Sequence, residues 1–368
     1  MREESTMKRI LCILSALTAG GAETFLMKVY RSLPAEEYQF DFIVSEEGGC
    51  YTQEVLDRGG RIYPIPKRTE DLRGALRGIA SVVRENGYDS VLKLGNTPVT
   101  AFDLIVARWG GAKKLAMRSC NALTGLSVKE KVVNGLLRPV LNLAANVKLA
   151  PSMLAAEFTF GKRRAHKDVH LLHNGVDLSV FHFDPEGRKE IREEFGLGGR
   201  FVVGHVGRFH EQKNHRFLLE TFRSIRQVRK DAVLLLVGEG ALEEQIRSWV
   251  KELGLEDAVV FTGVRFDVPR LLSAMDVFVF PSLHEGMPNT VIEAQATGLP
   301  CVIADTITPE ADITGLVRYL PLTQTPELWA KTALDAALEE RRDTAPDFLS
   351  QGYDIESVAK ELVDLLCG

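Results

Sequence analysis

The chain of 368 residues contains no apolar run near the roughly 18 residues a membrane-spanning helix requires, so any membrane contact is expected to be peripheral. It has only five cysteines, Cys12, Cys50, Cys120, Cys301 and Cys367, scattered and never in a C-x-x-C spacing. That pattern supports neither a disulfide framework nor a zinc site and points to a reducing compartment. The opening stretch MREESTMKRI is acidic before its first basic pair and reaches strand-like residues within ten positions, leaving no apolar core for a signal peptide. Met7 is a second candidate start, and the protein is expected in the cytoplasm. No G-x-G-x-x-G fingerprint occurs, which removes the usual dinucleotide-binding dehydrogenase. No two Asp residues lie two apart, and His205, His210 and His215 have no metal-ligand spacing, so no metal is assigned.

What is present is the composition of a folded globular protein, 45% apolar and 26% charged. The length calls for two domains. Short β-rich runs at 9–15, 40–44, 61–65, 90–94, 115–118 and 169–172 alternate with helical periodicity, and a second series follows at 201–206, 233–237, 259–261, 277–280, 301–304 and 317–320. Such βαβ series predict an α/β protein of two Rossmann-like, doubly wound parallel sheets facing a central cleft. Periodicity breaks at the FHFDPEGR stretch, placing the expected domains at 1–182 and 183–350, with a final helix in 351–368 that packs back toward the first domain.

The net charge of −5 is uneven. Residues 105–168 hold twelve Lys and Arg against three acids. This is either a solvated basic face or a patch attracted to an anionic bilayer or a pyrophosphate lipid; nucleic acid fits less well, since no aromatic-interleaved basic motif accompanies the charge. The stretch 128–147, apolar and basic, is the candidate contact or else a core helix.

Three loops carry candidate chemistry. Gly20 and Gly21 stand at the first strand-to-helix turn, either a tight turn or a place where backbone N–H groups approach an anion. After the strand 201–206, Arg208 and Lys213 leave one loop ahead of a helix for which Asn214 is the predicted N-cap; the fork of one and the point charge of the other suit a diphosphate. After the strand 277–280 comes PSLHEGMPNTVIEA, in which Glu285 precedes a helix and Glu293 lies one turn inside it. The first amides of that helix, Asn289, Thr290 and Val291, are candidate donors to a phosphate or a sugar hydroxyl, and an ionised carboxylate suits vicinal hydroxyls.

This last stretch resembles the E-x7-E signature of retaining GT-B glycosyltransferases of family 4, in particular the bacterial capsule and exopolysaccharide branch. GGAET, HNGVD at 173–177, VGRFHEQKNH at 206–215 and GVRFDVPRLLSAMDVFVFPS at 263–282 match in the same order. The resemblance implies a retaining transferase acting on a nucleoside-diphosphate sugar, UDP-linked by family habit, without a metal cofactor. It implies that Arg208 and Lys213 hold the diphosphate and stabilise the leaving group, and that Glu285 with Gly286, Met287, Pro288 and Asn289 faces the transferred hexose. Glu293 would bind the ribose, the Thr290 and Val291 amides the phosphates, the backbone around Arg265 the base, and Gly20 and Gly21 would close over the diphosphate from the other lobe. The absent D-x-D fits, because that motif belongs to the other major glycosyltransferase fold. The acceptor implied is a saccharide, carried on an undecaprenyl pyrophosphate at the inner membrane face. One position departs: where the family commonly has a His at the end of an acceptor-lobe strand, this chain has Arg118, with Asn121 three residues on. Arg cannot serve as a base, so these two are assigned to acceptor-side binding. Rival readings are a nucleotide-sugar epimerase of the same fold, a phosphorolytic relative, and a non-catalytic partner subunit.

Overall fold

The structure is a computed structural model in which residues 7–18, 20–120 and 127–368 are described. The chain divides into two units, residues 1–175 with 352–368, and residues 176–351.

The first unit is built on a parallel sheet in the order β3-β2-β1-β4-β5-β6-β7, formed by β1 (Lys8–Ile13), β2 (Tyr38–Val44), β3 (Ile62–Pro64), β4 (Ser90–Gly95), β5 (Lys114–Ser119), β6 (Val147–Ala150) and β7 (His170–Leu171). The strands are mostly apolar on both faces because helices cover both. In β1, Ile10 and Cys12 join the core beneath helices Gly21–Ser32 and Ile355–Cys367, while Leu11 and Ile13 join the opposite core with Ile79, Leu104 and Leu141. The strand β6 had no counterpart in the sequence reading. Its four residues, VKLA, include Lys148, which is buried and tied to Asp168 at 3.1 Å. A lysine in so short a run hides the apolar pattern of a central strand.

The second unit repeats the arrangement with β8 (Val202–Val206), β9 (Val233–Val237), β10 (Val259–Gly263), β11 (Val277–Phe280), β12 (Cys301–Ala304) and β13 (Val317–Leu320), ordered β10-β9-β8-β11-β12-β13. Alternation again splits each strand between two cores, Val277 and Val279 to one side and Phe278 and Phe280 to the other. Asp276, just before β11, pins the amino edge of this sheet. It accepts from Arg188 at 2.6 Å, from Arg192 at 2.8 and 3.0 Å, and from the Val202 amide at 2.7 Å.

The final helix, Ile355–Cys367, belongs to the first unit. Asp354 caps it by accepting from the Ser357 amide, and Ile355, Val358, Leu362 and Leu366 are buried in the core beside Gly21–Ser32. Ser90 Oγ donates to the Leu366 carbonyl at 2.6 Å, closing a contact across 276 residues. Removing a fully buried leucine from such a core costs about 2–5 kcal/mol. Leu362→Ala should therefore lower the unfolding free energy of the protein by an amount of that order in urea titrations; an unchanged midpoint and slope would mean that the helix contributes little to that core.

Candidate functional site

At the carboxyl edge of the second sheet, β8 runs into Gly207 and Arg208, a short turn Glu211–Lys213, and the helix His215–Val228. Asn214 occupies the N-cap position in the left-handed region, φ 55°, but its side chain makes no capping bond, so the capping role read from sequence is positional only. Beneath this loop the chain leaving β9 passes so closely that a Cβ at Gly238, whose φ is 130°, would strike the Gly207 carbonyl. Only glycine satisfies both demands. The sequence reading passed over this residue, and its one signal was the V-G-E-G run at a strand end.

The loop after β11 is laced to this one. The Leu283 amide donates to the Gln212 carbonyl at 2.8 Å, and Gln212 Nε2 donates to the His284 carbonyl at 2.7 Å. Between them Lys213 Nζ meets Glu285 Oε1 at 2.6 Å and lies 4.5 Å from the Phe280 ring centroid. Ser282 Oγ donates to the same carboxylate oxygen at 3.0 Å. The two charged side chains are 17% and 11% exposed. Residues expected to address different parts of one ligand are thus bonded to each other. Lys213, expected to hold a diphosphate, is ion-paired within the protein. Arg208 is exposed, with no ion pair or hydrogen bond among the described residues.

The helix Asn289–Ala296 begins after Pro288 without a side-chain cap. Its N-terminus departs from expectation at Val291, whose amide already donates to the Pro288 carbonyl at 3.1 Å. The Thr290 amide meets no acceptor among the described residues. Glu293 lies one turn in and, like Asn289, is half-buried and has an interaction partner within the protein. Gly286 and Pro288 are buried, and Met287 packs against the core beneath. Arg265 is committed on two sides, to Glu194 at 2.7 and 3.0 Å and to Asp267 at 2.8 and 2.7 Å. Its side chain is therefore committed within the protein.

In the first unit Gly20 is the N-cap of Gly21–Ser32, and the Glu23 carboxylate folds over it, so that a Cβ at Gly20 would collide with that side chain. Gly21 faces open space. Arg118, read as an acceptor-side residue, is only 1% exposed. It lies 3.5 Å over the Phe25 ring and donates to Asn174 Oδ1 at 2.7 Å and to the Leu172 carbonyl at 3.2 Å. Burial lowers its pKa to about 10. Placed so, it is a packing residue that holds the chain after β7, and a saccharide has no access to it. Asn121 lies outside the described residues.

Two family models cover the chain: "Glycosyltransferase Family 4" matches residues 19–180 and "Glycosyl transferases group 1" matches residues 200–339. EpsF of Bacillus subtilis, a protein named as a glycosyltransferase, is 34% identical over 372 residues, covering 98% of this chain and 97% of its own. The chain belongs to the group 1, family 4 glycosyltransferases. The Escherichia coli UDP-Gal:alpha-D-GlcNAc-diphosphoundecaprenol alpha-1,3-galactosyltransferase is 27% identical over 77% of this transferase and 76% of its own length. Among solved structures, Anabaena HepE in complex with UDP superposes with a TM-score of 0.78 at 19% identity, covering 98% of this chain and 100% of that one. The two doubly wound units are those of the GT-B fold. The lysine–glutamate pair and Arg208 fall in the stretch that the group 1 model covers.

The floor of this site rests on two buried neutral histidines. His205 Nδ1 lies 3.0 Å from the Val279 carbonyl, and the His205 and His215 rings meet edge to face at 5.1 Å. Burial, then the neighbouring His215, pushes His205 well down; burial, then Lys213, lowers His215 from 6.5 to about 4. Between these limits the unfolded chain binds a proton that the folded chain refuses, so stability is full above about pH 6.5 and falls as pH drops toward 4. For His215 alone the loss is on the order of 3 kcal/mol. Thermal melts of the second unit should show a drop in Tm across this window that shrinks in His215→Gln; a parallel drop in both proteins would count against it.

Proposed function

We propose that this transferase moves a hexosyl or N-acetylhexosaminyl group, with retention and without a metal, from a nucleoside-diphosphate sugar to a saccharide on a lipid pyrophosphate during surface-polysaccharide assembly. The observation that carries the donor half is the grouping of exposed Arg208, the Lys213–Glu285 pair and the uncapped helix Asn289–Ala296 at one sheet edge. Ligands of doubly wound sheets bind at that edge. Arg208 supplies a fork for the diphosphate, and Lys213 supplies a second charge once a phosphate competes with Glu285 for it. The Thr290 amide faces a phosphate oxygen. Glu293 holds ribose hydroxyls and Glu285, released from or shared with Lys213, orients the hexose beside Gly286, Met287, Pro288 and Asn289. The backbone at Arg265 reads a uracil.

In the reaction the bond from the anomeric carbon to the diphosphate oxygen breaks and a bond to the acceptor hydroxyl forms on the same face. The hydroxyl proton passes to the departing diphosphate. Fixed cations stabilise the charge that develops on the leaving group, which is where electrostatic catalysis acts most strongly. The UDP-galactose donor and diphosphoundecaprenol acceptor in the name of the Escherichia coli relative support a UDP-sugar and a lipid-linked acceptor here.

A peripheral site at the inner membrane face is supported by the helix Val128–Ala144. Val128, Val132, Leu136 and Leu143 are exposed on it, with Lys129 and Lys131 beside them. Among the described residues no helix is long and apolar enough to cross a membrane. Apolar side chains flanked by lysines are the pattern of an interfacial helix.

Two experiments test this reading. Calorimetric titration with UDP- and GDP-sugars in the presence of a chelator should show selective donor binding, weakened at least about tenfold in Lys213→Ala and Glu293→Ala. No binding by any donor, or binding that needs a metal, would refute the donor assignment. In flotation with anionic liposomes at low salt, the protein should rise with the vesicles and Leu136→Glu should not; a protein that stays in the dense fraction contradicts the membrane assignment.

A further inference from the structure

A second charged group in the first unit belongs to none of the roles above. Lys93 lies near the carboxyl end of β4, and its Nζ is 3.4 Å from the carbonyl of Ile13, the last residue of the adjacent β1. Its carboxylate neighbour is Asp103 Oδ2 at 3.5 Å, beyond a good hydrogen bond. Asp103, in the first turn of the helix Ala101–Gly110, is completely buried and also pairs with Arg68 through its other oxygen. Two cations therefore share one carboxylate. The Lys93 side chain is 12% exposed and that of Arg68 31%, so both reach solvent from a largely enclosed place.

The charge balance is unusual for a packed interior. A buried ammonium is costly unless paired and fully hydrogen-bonded. Here burial first, and then the Arg68 guanidinium, lower the Lys93 pKa to about 8. Glu23 adds a weaker opposing field, while Cys120 is held neutral by burial. If the cluster served only to tie β4 to its neighbours, one cation would suffice. A second cation set against the first is stabilised when an anion arrives between them. The location agrees, because the ends of β1 and β4 are where the strand order of this sheet reverses.

We propose that Lys93 and Arg68, sharing Asp103, form an anion subsite that receives a phosphoryl group of the acceptor, the fork of Arg68 taking two oxygens and Lys93 a third. This rests on the reading of the acceptor as a phosphorylated carrier. The site differs from the Arg208 and Lys213 group in unit and in sheet, so the two separate experimentally.

The test uses the intact protein saturated with UDP, so that the donor site is filled before any other anion is added. UDP binding comes first: if it fails, the donor reading fails and the subsite is not the cause. With UDP bound, titration with inorganic phosphate should reveal a further site, weakened at least about tenfold in Arg68→Ala and in Lys93→Met and restored in Lys93→Arg, with UDP affinity unchanged in all three. Arg68 is partly exposed, and its removal tests the site even where Lys93→Met folds poorly. Farnesyl diphosphate, a soluble prenyl pyrophosphate, should displace the phosphate. No phosphate binding beyond UDP, or equal binding in Arg68→Ala, overturns the subsite. Phosphate binding that farnesyl diphosphate leaves undisturbed overturns its assignment to a lipid-linked acceptor.

Discussion

Every strand pair described in this protein is parallel, and a parallel pair can be joined only by a crossover that carries the chain back to the edge from which it began. Each strand therefore empties into its loop at one edge of its sheet, and each return helix covers a face. That constraint explains why the functional loops cluster without being neighbours in sequence: residues 207–214 and 281–288 lie some seventy positions apart, yet Lys213 and Glu285 meet because β8 and β11 are adjacent in the sheet. The opposite edge is free for structural fastening. Asp276 gathers two arginines and a backbone amide there, while the carboxyl edge keeps its exposed Arg208.

The Lys213–Glu285 pair gives the site a resting state with its charge internally compensated. Two half-buried opposite charges at 2.6 Å, with an aromatic face under the ammonium, hold each other's geometry before any ligand arrives. Breaking such a pair by removing one member leaves the other uncompensated, which is the expensive outcome for a buried charge. The histidines beneath contribute by remaining neutral, since a charged ring next to Lys213 would oppose its ammonium.

The membership in the glycosyltransferases and the alternation of strands and helices were legible in the linear order because both depend on short-range pattern. Apolar runs such as VFVF and VLLLV, fully covered on both faces, announce buried parallel strands without reference to any partner. Where a strand carried a compensated charge, as Lys148 does in β6, the pattern vanished, because the compensating Asp168 lies twenty residues away. The glycine at 238 was missed for a related reason: its need is set by the Gly207 carbonyl, which only the folded sheet brings near.

By itself the sequence determined that the chain is built from two series of parallel strands, that it carries the family's glutamates Glu285 and Glu293 on either side of a helix start, and that Arg208 and Lys213 share a loop. These follow from residue type and spacing along one element. Only the tertiary structure decided which charges stay open. Arg118 became a packing residue on Phe25, Arg265 was consumed by Glu194 and Asp267, the Val291 amide closed onto Pro288, and Lys213 was paired while Arg208 was left exposed. The physical reason is that the state of a charged or polar group depends on the distance and burial of its partners, and in this fold those partners come from other elements of the sheet.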